Sequence, residues 1–489
     1  MSVYLRRVPF MHCGTKIVAT LGPASTDPAV LESLIQAGVN TVRLNFSHGS
    51  AQDHIDRAAT VRAIAAKLGK SVAVLADLQG PKIRVGKFEK NKIELAKGAK
   101  FILDAECELG NQDVVGLDYK ELPNDVEPGA ILLLDDGKLK LVVDQVVGAK
   151  VFTTVVVGGT LSNNKGINRQ GGGLTAPALT AKDMEDIKTA AKLEADYIAV
   201  SFPKSSADMY MARTLVRAAG GHALLIAKIE RTEAIDNLEE ILDASDGIMV
   251  ARGDLAVEVG DAAVPALQKR MIKLARKKHK LTITATQMME SMISSPVPTR
   301  AEVSDCANAV LDGTDAVMLS AESAAGKYPL EAVQAMARTI AEAEKSGESK
   351  IEGEFDNVSD FERIDQAVTM AAVYASSNMQ VKAIVCISHS GASALWLSRY
   401  ITGVPIYVFT QEINTYRKLA LYRHVQPVMV DPNLGPDREQ HLAFAQLELL
   451  RSGKVVPGDR LIVTLASPVN GVNSGANTMR IIQVAQGNR

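Results

Sequence analysis

Eight short apolar runs, most of them preceded or followed by a helical pattern, constrain this chain more than any other feature. They are 15–22 (TKIVATLG), 40–47 (NTVRLNFS), 71–78 (SVAVLADL), 196–202 (DYIAVSF), 223–230 (ALLIAKIE), 246–254 (DGIMVARGD), 281–288 (LTITATQM) and 315–320 (DAVMLS). Each is rich in small and branched apolar residues on both faces, as expected of parallel strands buried between helices. The segments PAVLESLIQAG, SAQDHIDRAATVRAIAAKLG and KDMEDIKTAAKLEA between them read as helices, with Gly38, Gly69 and Gly220 or Gly221 at C-cap positions. Eight such units predict an α/β fold, a closed (β/α)8 or TIM barrel over 1–80 and 175–346. A doubly wound open sheet is the alternative. The number of units and the lack of a glycine-rich fingerprint after the first run favour the barrel.

Two regions break the pattern. Residues 81–174 alternate apolar and polar positions in KIELAKGAKFILDA, DVVGLDY, GAILLLDDGKLKLVV and AKVFTTVVVGG, which predicts a small antiparallel β-domain, a lid inserted after the third barrel strand. After the helical PLEAVQAMARTIAEAEKS, the polar stretch GESKIEGEFDNVSDFERI reads as an arm or linker. Residues 347–489 then carry a helix and five strand-like runs, predicting a C-terminal α/β domain with an open, mostly parallel sheet.

Composition excludes several classes of partner. The formal charge is -2 and aromatics make up 4% of the 489 residues, so neither a phosphate-backbone footprint nor a base-stacking platform is expected. The N-terminal MSVYLRRVPFMHCG lacks the apolar core of a signal peptide, and no run approaches the ~20 apolar residues of a membrane span. Four scattered cysteines without a C-x-x-C pair fit a reducing cytoplasm. No nucleic acid and no membrane partner are expected.

Function in such barrels sits at the C-terminal mouth. The polar residues that the eight runs deliver there are Arg43, Asn45, Ser47, His48, Asp77, Lys228, Glu230, Arg252, Asp254, Thr286, Gln287, Ser320 and Glu322. Side chains alternate along a strand, so Lys228 and Glu230 share a face, as do Arg43, Asn45 and Ser47. Glu230 and Asp254 come from adjacent strands, a pair of carboxylates that suits Mg²⁺. The alternative is that each only pairs with Lys228 or Arg252. Lys228 beside such a site would steady a phosphoryl group in flight, and a cation nearby would ease loss of its proton. Arg43 and Arg84 offer planar donors to phosphate, although Arg84 also reads as a surface residue at the domain hinge.

The segments TKIVATLGPAS, RLNFSHG, GPKIR, KIE, MVARGDL, ATQMMESM and MLSAES, in this order across residues 15–330, resemble pyruvate kinase. The resemblance implies transfer of the phosphoryl group of phosphoenolpyruvate to ADP, giving ATP and pyruvate. It implies that Glu230 and Asp254 hold Mg²⁺ (or Mn²⁺), and that backbone groups of Ala251, Arg252, Gly253 and Asp254 bind the substrate carboxylate. Lys228 would stabilise the moving phosphoryl group and Arg43 would bind it. Asn45, Ser47, His48, Arg84 and the lid residue Lys165 would contact nucleotide phosphates. Thr286 and Ser320 would belong to the proton path to the enolate, with the donor left open. A homotetramer is also implied.

One motif departs from the family pattern. K⁺-requiring members carry Asp-Thr-Lys-Gly-Pro-Glu where this chain has Asp77-Leu78-Gln79-Gly80-Pro81-Lys82. With Asn45, Ser47 and Asp77 around it, the Lys82 ammonium would stand in for the ion, and K⁺ would not be required. In the C-terminal region, Ser388, His389, Ser390, Gly391, Ala392 and Ser393 lie between a strand and a helix. Amides and hydroxyls there fit a phosphate site, and the resemblance implies a sugar-phosphate or nucleotide effector. An ordinary serine cap with a glycine turn is the alternative. The late loop NGVNSGANTMR would close over the effector or serve only as a connection, and Trp396 reads as a packing residue. Two rival functions remain at this point. One is a Mg²⁺-dependent lyase, which the lid and RLNFSHG disfavour. The other is a catalytically dead sensor, which the intact set of mouth residues disfavours.

Overall fold

The computed structural model describes residues 13–345, 361, 363–400, 402–431, 433–435, 437–466 and 475–485. The N-terminal segment to residue 12, the linker over 346–360 and positions 470–474 of the late loop lie outside the described residues.

The eight runs form strands β1 (Lys16–Thr20), β2 (Val39–Asn45), β3 (Ala73–Asp77), β4 (Tyr197–Val200), β5 (Leu224–Ile229), β6 (Gly247–Ala251), β7 (Leu281–Ala285) and β8 (Ala316–Leu319). They close into one parallel barrel, each strand pairing with its neighbours in sequence and β1 pairing with β8. Alternation along the strands sorts the side chains into two layers. Val18, Leu75, Ala199, Ile226, Met249, Ile283 and Met318 face inward. Ile17, Val74, Val200, Leu225, Val250 and Leu319 face the surrounding helices. Both layers are buried, which is why the runs are apolar throughout.

The helices begin where the local chemistry dictates. Ser50 with Asp53, Thr180 with Asp183 and Thr299 with Glu302 form reciprocal capping boxes. Gly38 and Gly69 do cap their helices. The third cap falls on Ala219, with Gly220 in the left-handed conformation just beyond it.

The lid has its own apolar core around Phe101, Leu103, Leu132, Leu141 and Val155. Its strands form a six-stranded sheet and two two-stranded sheets. They are not purely antiparallel as expected: Lys100–Asp104 pairs with Val114–Gly116, and Lys87–Phe88 with Leu109–Gly110, in parallel. Short excursions between these segments let the chain return in the same direction.

The C-terminal sheet contains β9 (Ala383–Ile387), β10 (Ile406–Thr410), β11 (Val425–Met429), β12 (Arg460–Leu465) and β13 (Thr478–Gln483). Its order is β11-β10-β9-β12-β13, parallel except for the last pair. This domain covers the N-terminal end of the barrel. Lys16 Nζ donates to Val425 O at 2.7 Å and Tyr197 Oη to Lys418 O at 2.6 Å. Arg399 binds both oxygens of Asp315, and Trp396 packs edge-on against His279 with ring centroids 4.1 Å apart. The opposite end of the barrel therefore stays open.

Candidate active site

On several strands the inward-facing row ends, at the open mouth, in a polar side chain, whereas those of β6 and β7 end in Ala251 and Ala285. Val18 is followed on this face by Thr20, Leu75 by Asp77, Ala199 by Ser201, and Ile226 by Lys228 and then Glu230. These groups touch. Arg43 Nε donates to Asp77 Oδ2 at 2.6 Å and Nη1 to Thr20 Oγ1 at 3.1 Å. Lys228 Nζ lies 2.7 Å from Ser201 Oγ, 2.9 Å from Glu230 Oε1 and 3.3 Å from Asp77 Oδ1. Glu230 Oε2 accepts the Phe202 N–H at 2.9 Å. Sequence reasoning missed Thr20, Ser201 and Phe202. The signal for the first two was present, since each is two positions beyond an inward apolar residue.

Charge in this cluster is unbalanced. Asp77, Glu230 and Asp254 face Lys228 and Arg43, three carboxylates against two cations. Burial alone would depress the Lys228 ammonium, but Asp77 and Glu230 overcome it and hold the pKa above its ordinary value. The nearest charges to Lys228 among the protein's own groups are carboxylates, which favour the ammonium. Burial likewise opposes ionisation of Asp77, yet Arg43 and Lys228 keep its pKa low. Glu230 is the undercompensated member. Burial, with Asp254 adding, pushes it up to about 7 against the pull of Lys228.

This surplus decides whether the residues fit a divalent cation. Glu230 Oε1 and Asp77 Oδ1 are buried and receive no aligned hydrogen bond. Asp254 is half-buried in the first turn of the Arg252–Val259 helix and close enough to raise Glu230. Two hard oxygen donors with spare negative charge match Mg²⁺, which completes its shell from water and substrate. Among the described residues no cluster of three or more His, Cys, Asp or Glu forms a full protein cage. Of the alternative pairings, Glu230 does meet Lys228, while Arg252 meets Asp305 at 2.7 Å and not Asp254.

Arg252 has a different task. Its guanidinium also donates to Ala285 O at 3.2 Å and Thr286 O at 2.6 Å. It thereby braces a turn in which Thr286 and Gln287 both adopt left-handed φ, +69° and +54°. That turn aims Thr286 Oγ1 at the Gly253 N–H, 2.9 Å away. The helix from Arg252 has no side-chain cap at Ala251, so its first turn presents main-chain donors to the mouth, Gly253 excepted. Glu322 is a strut: its two oxygens accept the N–H groups of Met289 and Ser320 at 3.1 and 2.7 Å.

Other candidates sit farther from the cluster. Ser47 does not share the β2 face with Arg43 and Asn45. The strand ends at Asn45, and Ser47 lies in the following turn, donating its N–H to Asn45 Oδ1 at 3.0 Å. His48 is exposed in the same turn. Lys82 lines a crevice between lid and barrel with Asp254, Arg231 and Glu258. Both Asp77 oxygens are already engaged by Arg43 and Lys228. Arg84 donates to Asn164 O at 3.0 Å, and Lys165 pairs with Asp135 at 2.8 Å, both within the lid. Neither reaches the Lys228 cluster in this arrangement.

Residues 388–391 form a tight loop, and Ala392 and Ser393 open the Ala392–Ser398 helix. Ser388 Oγ accepts the Gly391 N–H at 3.0 Å and Ser390 Oγ the Ala392 N–H at 3.4 Å. Ser393 Oγ accepts the Ala476 N–H at 3.3 Å, and His389 is exposed beside Glu412 at 3.3 Å. Gly391, with φ of +83°, supplies the left-handed turn.

Comparison with known proteins agrees with this layout along the whole chain. The family model "Pyruvate kinase, barrel domain" matches residues 13–333, and "Pyruvate kinase, alpha/beta domain" matches 366–482. Pyruvate kinase II of Salmonella typhimurium is 52% identical over 99% of this chain and 100% of its own length. The pyruvate kinase of Haemophilus influenzae is 53% identical over 95% of this chain and 96% of its own. A solved pyruvate kinase structure from Cryptosporidium parvum superposes with a TM-score of 0.89 at 32% identity, covering 96% of each chain.

Proposed function

The chain belongs to the pyruvate kinase family of phosphotransferases, and from that premise we propose that it moves the phosphoryl group of phosphoenolpyruvate to ADP at the Lys228–Glu230–Asp254 mouth. The observation that carries this reading is the Lys228 ammonium lying 2.9 Å from Glu230, with Asp254 near enough to act on both. A divalent cation, Mg²⁺ or Mn²⁺, held by Glu230 and Asp254, would supply Lewis acidity to the carboxylate and phosphoryl oxygens of the substrate.

The remaining roles follow from the chain's own groups. The Arg252–Val259 helix N-terminus, through Ala251, Arg252, Gly253 and Asp254, receives the substrate carboxylate, the Gly253 N–H exchanging its Thr286 contact for it. Arg43, oriented by Asp77 and Thr20, binds the transferring phosphoryl group. The Lys228 ammonium donates to Ser201 Oγ and lies within ion-pair distance of Asp77 and Glu230. Lys228 exchanges the Glu230 contact for a phosphoryl oxygen and so neutralises charge where it develops. The bond from phosphorus to the enol oxygen breaks, and a bond to a terminal phosphate oxygen of ADP forms. Protonation of the enolate carbon, along a path containing Thr286 and Ser320, gives pyruvate.

Asn45, Ser47, His48 and Arg84 serve the nucleotide phosphates, and lid closure brings Lys165 from Asp135 to join them while excluding water. Lys82 substitutes for K⁺ near Asn45, Ser47 and Asp77, so Mg²⁺ alone suffices. A sugar-phosphate or nucleotide effector binds at Ser388–Ser393, and the active form is a cytoplasmic homotetramer. Among the described residues no helix is long and apolar enough to cross a membrane.

The deciding experiment is formation of pyruvate that requires both phosphoenolpyruvate and ADP. A lyase would release product without ADP, and an inactive sensor would release none. Equal rates in K⁺-free and K⁺-containing buffer at matched ionic strength are expected; strong activation by K⁺ itself would remove Lys82 from its assigned part.

A further inference from the structure

We propose that Ser201 and Phe202, which form an elbow where β4 ends, are the positioning element of the phosphoryl-transfer site, holding Lys228 and Glu230 at once. The proposal rests on the roles given to those two residues above.

The elbow has two arms. Ser201 is 1% exposed, and its hydroxyl donates to Leu78 O at 2.7 Å. A hydroxyl has one proton, so its remaining lone pairs are left for Lys228 Nζ, also at 2.7 Å. The chain from Lys228 through Ser201 to Leu78 is thus directional and fixes where the ammonium sits. One residue on, the Phe202 N–H is free of the ladder and donates to Glu230 Oε2 at 2.9 Å. The two arms come from adjacent residues, so the spacing of Lys228 and Glu230 is set by a single piece of backbone.

That backbone is strained and supported. Phe202 has φ of +56°, a conformation costly for a bulky aromatic residue. Its ring is buried under the Arg231 guanidinium, 5.3 Å from the centroid. Behind the elbow lies Gly80, itself left-handed at +67°. A Cβ there would stand 2.7 Å from Ser201 Cβ and 3.1 Å from Phe202 Cδ2, so only glycine permits the approach. Asp183 Oδ1 accepts the Gly80 N–H at 3.0 Å and Leu78 donates its N–H to Ala199 O at 3.0 Å, which locks the two segments together. A non-glycine left-handed residue, backed by a glycine that nothing else can replace, directly behind the charged pair, marks strain retained for geometry rather than for packing.

The test is Ser201→Ala, which removes the acceptor without adding bulk, with Ser201→Cys, slightly larger and a weak acceptor, and Gly80→Ala beside it. Ser201→Cys and Ser201→Ala should lower kcat by about 10- to 100-fold while KM for phosphoenolpyruvate and ADP stays within about threefold. Mn²⁺ affinity, read by direct titration without substrate, should stay within about threefold as well. Gly80→Ala shifts both arms, so kcat should fall and Mn²⁺ should bind at least about fivefold more weakly. Wild-type kcat in the folded Ser201 variants, or equal losses in kcat and in substrate binding, would overturn the proposal. Gly80→Ala keeps it falsifiable should neither Ser201 variant fold: unchanged Mn²⁺ affinity there refutes the two-armed elbow. A Lys228→Met control separates the two layers. If it retains turnover, the role of Lys228 fails; if it is inactive while the Ser201 variants are normal, only the elbow fails.

Discussion

The barrel mouth and the Ser388–Ser393 loop are both places where the chain could hold a phosphate, yet they are built oppositely. At the mouth, one buried oxygen of each of Asp77 and Glu230 lacks an aligned donor, and three carboxylates face two cations. In the C-terminal loop, all three serine hydroxyls accept a backbone N–H of the loop or its neighbour. The mouth is electrostatically incomplete without a ligand; the loop is complete, and an anion must compete with contacts already made. Hence the mouth should act in an all-or-none manner, and the loop as a graded modulator.

The largest effect expected from that contrast is at Lys228. Lys228→Met should lower kcat by about 10³-fold, measured as ADP-dependent pyruvate formation, because a preoriented donor to developing charge is lost. Next, Asp254→Asn should weaken Mn²⁺ binding by at least about tenfold in a substrate-free titration; unchanged affinity would mean that the surplus negative charge is not there for a cation. At the loop, replacing Ser388, Ser390 and Ser393 together by alanine should abolish activation by a phosphorylated effector and leave the unactivated rate intact. The same variant should lose about 1 kcal/mol per deleted side-chain-to-backbone hydrogen bond in denaturant unfolding. Retained activation would erase the loop side of the comparison.

The smallest effect concerns pH. Glu258, in the crevice beside Asp254, is pushed up to about 7 by burial, with Glu233 adding to it. The native state keeps this proton up to that pH, whereas the unfolded chain loses it near the ordinary glutamate value of about 4.3. The native state therefore binds more protons in between, and stability falls as pH rises across that window. Glu258→Gln should flatten the metal-free stability profile there, by an amount of order 1 kcal/mol. An unaltered slope would show that Glu258 does not share the mouth's excess charge.

Much of this arrangement was legible because a barrel strand is a simple ruler. Once Ile226 is inward, Lys228 and Glu230 must follow it to the mouth, and the same count places Arg43 and Asp77. The ruler fails where the strand ends. Ser47 falls off the β2 face because the chain turns after Asn45. The left-handed bends at Phe202 and Thr286 had no glycine to announce them. Arg252 was read as part of the mouth, but its ties to Asp305 and Thr286 depend on residues distant in sequence. The lid residues were the hardest to read, since whether Lys165 meets Asp135 or a phosphate depends on a domain orientation that local patterning does not encode.

The lid interrupts the chain between two strands that lie side by side, and this bears on how the molecule assembles. Asp77 pairs in register with Ala199, so completing that seam requires contacts across a long stretch of polypeptide. Loop-closure entropy rises only logarithmically with such a detour, about 0.6 kcal/mol per doubling. The interpolated segment also possesses its own core, around Phe101 and Leu132, and it can condense before the seam forms. Barrel closure is then the joining of distant partners around a preassembled knot of sheet, a high-contact-order event that belongs late in the folding sequence.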